Sequence, residues 1–74
     1  MKERTLSNNL RHFRFTQGEV TQEQLAQAVG ASRQTILAIE NGKFNPSVRL
    51  ALLIAKYFNC NVEDIFSLEE GNDS

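Results

Sequence analysis

A chain of 74 residues with a formal net charge of −1 has room for one domain, and a domain of this size buries only about 60% of the surface its unfolded chain exposes. Cys60 is the single cysteine and His12 the single histidine, which excludes an internal disulfide and a Cys/His metal cluster within one chain. No apolar run approaches the ~18 residues of a membrane span, and the start "MKERTLSNN" is too polar for a signal peptide; a soluble, cytoplasmic protein with no cofactor, no metal and no membrane partner is expected.

In chain order, the first segment carries Leu6, Leu10 and Phe13 at helical spacing and closes at "TQGE" with Gly18. The second opens with Thr21 and Gln24, placed as N-cap and N3 of a capping box, with Val20 and Leu25 spaced to staple across it. Its apolar stripe is Leu25, Ala26 and Val29, and Gly30 ends it where a left-handed residue is cheapest. Only Ala31 separates Gly30 from Ser32, the cap of a third segment. Two helices joined by so short a glycine-containing turn form a helix-turn-helix signature.

"NGKFNPS" breaks the chain through Asn41, Gly42 and Pro46, and Ser47 caps a fourth helix running to about Tyr57. Asn59 suits a left-handed C-cap, and Asn61 caps a last helix with Val62, Ile65 and Phe66 on its apolar face. With no strand candidate of weight and no internal repeat, the expected fold is all-α, a compact five-helix bundle. Residues 1–66 form the expected domain, and residues 67–74 an acidic, frayed tail with too little to bury.

Charge is distributed unevenly. Residues 1–60 hold all eight Lys and Arg against four Glu, a net of +4, whereas residues 61–74 hold five acids and no base. A basic body suits an anionic partner approached from one side; a solvated acidic tail explains the second half equally well.

The third helix is where the pattern is most informative. At 100° per residue, Ile36 and Ile39 face a core while Gln34, Leu37, Ala38 and Asn41 face away, with Arg33 on the border. Long forked side chains in the first turn and uncharged small or apolar residues behind them suit the DNA major groove: Arg pairs two-pronged with guanine, Gln with adenine, and apolar groups touch the thymine methyl. The alternative from spacing alone is an ordinary surface beside a greasy patch.

"VTQEQLAQAVGASRQTILAIENGKFNPSVRLALLIAKYFNCNVEDIF" closely resembles the Cro/C1-type (XRE-like) helix-turn-helix family of bacterial and phage repressors, in particular its short stand-alone members. The resemblance covers about residues 6–66, with "TQEQLA", a glycine turn, "SRQTI", "IENG" and "NPS" in family order. One departure is "FTQGEV", which is one residue longer than usual before the second helix. The resemblance implies a lambda-repressor-like fold and a double-stranded DNA-binding transcriptional regulator. It implies base contacts from Ser32, Arg33, Gln34, Leu37 and Ala38, and phosphate contacts from Gln22, Asn41 and Lys43. It also implies a structural ion pair between Arg14, at the end of the first helix, and Glu40.

The fourth helix, "VRLALLIAKYF", is apolar nearly all round. Val48, Ala51, Ala55 and Phe58 suit the domain core, while Leu50, Leu53, Ile54 and Tyr57 spread onto faces that one core cannot cover. With Ile65 and Phe66 they are the expected interface of a two-fold homodimer reading a palindrome. Cys60 reads as core and His12 as an exposed helix residue; Phe44 either packs inward or braces the DNA backbone. Competing readings are an antitoxin, whose toxin-binding surface would have to come from the last fourteen residues, and a protein-interaction module that has lost DNA. No catalytic residues are expected, because no nucleophile, base and orienting group can be assembled from this chain.

Overall fold

The computed structural model describes residues 4–70. Five helices follow one another much as the capping residues and glycines dictate: α1 (Leu10–Thr16), α2 (Gln22–Val29), α3 (Arg33–Glu40), α4 (Val48–Tyr57) and α5 (Val62–Ile65). Thr21 caps α2 with a complete capping box: its hydroxyl accepts from the Gln24 amide at 3.0 Å, and the Gln24 side chain accepts from the Thr21 N–H at 2.8 Å. Gly30 ends α2 at φ 73°. Ser32 and Ser47 cap α3 and α4 by accepting from the amides of Thr35 and Leu50. Asn59, at φ 56°, is the left-handed residue after α4.

The turn before α2, where the sequence departs from the resembling pattern, is tightly closed. Gly18 and Glu19 both take positive φ, 103° and 53°, so the chain doubles back over the end of α1. The Val20 N–H donates to the Arg14 carbonyl at 2.8 Å, and Arg14 Nη1 donates to the Val20 carbonyl at 2.9 Å. This reciprocal closure fixes where α1 sits against α2.

The all-α expectation is corrected at both ends of the described chain. A two-stranded antiparallel sheet pairs β1 (Arg4–Asn8) with β2 (Phe66–Glu70), in a register that sets Leu6 opposite Leu68 and Ser7 opposite Ser67. Leu6 is therefore a strand residue, not the first apolar position of a helix. The expected tail at 67–74 is a strand over Ser67–Glu70, and its remaining residues, 71–74, lie outside the described residues. Asn8 makes the transition from strand to helix: its Oδ1 accepts from the Leu10 N–H at 3.0 Å, and its Nδ2 donates to the Ile39 carbonyl at 2.9 Å. One side chain thus takes up the first N–H of α1 and ties that end of the helix to the end of α3.

The core gathers Leu10, Leu25, Ile36, Ile39, Ile54 and Ile65, all essentially inaccessible, with Ala26, Val29, Ala55, Phe58 and Phe66 around them. The assignment of α4 faces is corrected here. Ile54 is fully buried, Leu50 and Leu53 pack partly against the core, and Val48, expected inside, is 77% exposed. Ile65 and Phe66 are likewise core residues, so Ile54, Ile65 and Phe66 offer no surface to a second copy. The cause is α5, which is only four residues long and turns straight into β2, carrying its apolar side chains under α4. Among the described residues no helix is long and apolar enough to cross a membrane.

Candidate nucleic-acid interface

The outward face of α3 is built by its own inward face. Ile36 and Ile39 are buried, which rotates Arg33, Gln34 and Leu37 to the surface and leaves Ala38 half-buried on the border. Ser32 is exposed, but its hydroxyl is engaged at the helix start, accepting from the Thr35 N–H at 3.1 Å and lying 2.9 Å from Thr35 Oγ1. Asn41 is the C-cap of α3, and Lys43 and Phe44 follow it in an exposed loop, with Phe44 49% accessible. Phe44 therefore does not pack inward.

Glu40, the one acid of α3, is held beneath this face. Its carboxylate receives Arg14 in a two-pronged ion pair, Nε to Oε2 and Nη2 to Oε1, the latter at 3.0 Å, and both side chains are more than nine-tenths buried. Gln22 Nε2 adds a third donor to Oε1 at 3.1 Å. The pair compensates the charge of Glu40 inside the domain, so α3 presents no bare carboxylate to an anion. Gln22, at the first position of α2, has its amide turned toward Glu40 while its N–H lies among the unpaired amides and positive dipole end of that helix.

Of the residues singled out from the sequence, the structure brings Gln22, Leu37 and Asn41 to one cleft together with Arg14 and Glu40. Ser32, Arg33 and Gln34 lie at the opposite end of α3, and Lys43 lies beyond its C-cap. Two further residues line the cleft that the sequence pattern does not single out, Arg11 and Phe15 of α1. The available signal was Phe15 itself, an aromatic out of phase with the Leu10 and Phe13 stripe; it is 54% exposed. The acids of the C-terminal segment, Glu63, Asp64 and Glu69, sit on α5 and β2, which pack against α4 and β1. His12 is exposed on α1. Cys60 packs partly against the core, and burial, with the Asp64 carboxylate as a second cause, pushes its thiol pKa up, which favours the thiol over the thiolate. Among the described residues no group of acidic, His or Cys side chains could hold a metal ion.

Two helices crossing at a glycine turn, the second with an exposed polar first turn, define the helix-turn-helix class, and the sequence profile of that class matches residues 14–65. The chain belongs to the Cro/C1-type (XRE-like) family of helix-turn-helix transcriptional regulators. It is 49% identical over 65 residues to an uncharacterized HTH-type transcriptional regulator of Methanocaldococcus jannaschii, covering 88% of this chain and 97% of that one. It is 45% identical over 67 residues to the HTH-type transcriptional regulator YgzD of Bacillus subtilis, covering 90% of this chain and all of that one. The competence pilus inhibition repressor of Acinetobacter baylyi is 40% identical over 65 residues, 88% of this chain and 58% of the repressor. The crystal structure of the transcriptional regulator VanUg superposes with a TM-score of 0.71 at 26% identity, covering 89% of this chain and 87% of that one.

Proposed function

We propose that the chain is a sequence-specific double-stranded DNA-binding repressor that acts as a homodimer on a palindromic operator. The observation that carries this reading is the surface of α3: Arg33, Gln34 and Leu37 exposed, and its single carboxylate withdrawn into an ion pair with Arg14. Ser32, Arg33, Gln34, Leu37 and Ala38 read bases, while Gln22, Asn41 and Lys43 hold phosphates. The similarity to the Acinetobacter repressor supports the sign of regulation.

An eight-residue helix is about 12 Å long and reaches only a few base pairs, and the next major groove on the same side of the duplex lies about 34 Å away. A second copy supplies the second reading head. For that copy the groove between α4 and α5, lined by Val48, Ala51, Leu52 and Val62 with Glu63 beside them, offers what Ile54, Ile65 and Phe66 do not. Val48 and Leu52 are 77% and 54% exposed, in a fold too small to leave such a patch without consequence. Selection of bound fragments from random duplex DNA tests the reading. A two-fold symmetric consensus is the expected result; absence of any enriched sequence would leave the interaction-module reading in its place.

A further inference from the structure

The cleft between α1, the first turn of α2 and the last turn of α3 contains two guanidinium groups and one carboxylate, from Arg11, Arg14 and Glu40. Arg14 and Glu40 neutralise each other in their buried pair, and the Gln22 amide is hydrogen-bonded to the same carboxylate. The remaining positive charge is that of Arg11, which is exposed and forms no ion pair among the described residues. Its guanidinium carbon lies 5.6 Å from the centroid of the Phe15 ring, and that of Arg14 lies 5.4 Å from the same ring. Both distances are within the range of cation–π attraction. Phe15, 54% exposed, thus has two guanidinium groups against its ring, and a long side chain already held against a ring loses less freedom when it takes up an anion.

We infer that Arg11, ordered by Phe15, is a DNA-backbone ligand contributed by α1, and that its charge makes this cleft attractive to a phosphate. This inference rests on the proposed DNA-binding reading. With Leu37, Asn41 and Gln22 also lining the cleft, a strand whose bases meet α3 brings its phosphates to Arg11. Without Arg11 the cleft would present a neutral pair and two amides. Phe15 acts through Arg11 and is a positioning residue.

The test uses the full chain and the duplex recovered by selection, with affinity followed by fluorescence anisotropy between about 50 and about 200 mM salt. Arg11→Ala is expected to weaken binding to the selected duplex and to a scrambled one by the same factor. It is also expected to make the salt slope shallower by about 0.9 for each copy bound, so that the loss shrinks about threefold per copy across that salt range. Arg11→Lys restores the slope because it keeps the charge. Phe15→Leu keeps the slope and weakens binding, because the charge remains but is no longer held in place. An unchanged slope in Arg11→Ala, in protein whose thermal transition matches the parent chain, would overturn the inference. So would a loss confined to the selected sequence, which would make Arg11 a base reader. A parent chain that binds no duplex strikes the DNA-binding reading itself and takes the inference with it.

Discussion

Glu40 is a carboxylate in the helix proposed to face a polyanion, and what makes it tolerable there is a neighbour 26 residues earlier. Removing Arg14 would leave that carboxylate buried with Gln22 as its one donor, and breaking a buried pair from one side costs about 3 to 5 kcal/mol. Arg14→Ala is therefore expected to lower the melting temperature sharply, whereas Arg11→Ala, at an exposed position, should change stability by no more than about 0.5 kcal/mol. Equal melting temperatures would refute a structural role for the pair. On the outer face the same logic separates specificity from affinity. Gln34→Ala should relax base preference by about 1 to 3 kcal/mol of discrimination, while Lys43→Ala should weaken all sequences alike and flatten the salt slope. An unaltered consensus selected by Gln34→Ala at constant salt would remove Gln34 from the base-reading set.

Helices were legible in this sequence because their signals are local. Thr21 with Gln24, Ser32, Ser47 and Gly30 each act within four residues of their own position, and each does in the fold what its spacing predicts. Thr21→Ala should accordingly cost about 1 kcal/mol, measured as a shift of the thermal transition. Thr16→Ala should cost less, since the Thr16 hydroxyl only donates back to the His12 carbonyl of its own helix. The strands were not legible because their signal is neither local nor periodic. Five residues with one leucine at the centre, "RTLSN", have no alternation to detect, and the partner that completes them lies some sixty residues away. The spacing from Leu6 to Leu10 and Phe13 then mimicked a helix. The faces of α4 are not legible in the sequence for a related reason. With nearly every position apolar, periodicity cannot say which side is covered, and α5 decided that in favour of Ile54 and against Val48. At the site, the outward face of α3 proposed to read bases is visible in the sequence as a break in composition, but Arg11 and Phe15 join it only through the way α1 packs.

At the scale of the whole molecule, two surfaces compete for explanation: the polar face of α3 and the apolar groove between α4 and α5. If both belong to one assembly, the groove holds two copies so that their α3 helices read one palindrome. Leu52→Glu places a charge on a side chain that is 54% exposed, so the domain should fold and the dimer should not form. Sedimentation is expected to give a monomer that binds half-sites weakly, and a variant that stays dimeric would move the interface elsewhere. Placing the charge at Ile54 or Phe66 would test nothing about association, because both are core positions where an unpaired charge unfolds the domain.

The pairing of Arg4 with Glu70 brings positions near the two limits of the described chain side by side on neighbouring strands. A peptide linker joining the chain across that gap would turn the protein into a ring without asking the fold to move. In the chain-entropy view, ring closure over about seventy residues removes enough freedom from the unfolded ensemble to add about 4 kcal/mol of stability. The ring should melt higher than the open chain while its α3 face is unchanged, and a thermal scan beside a DNA titration would read both quantities.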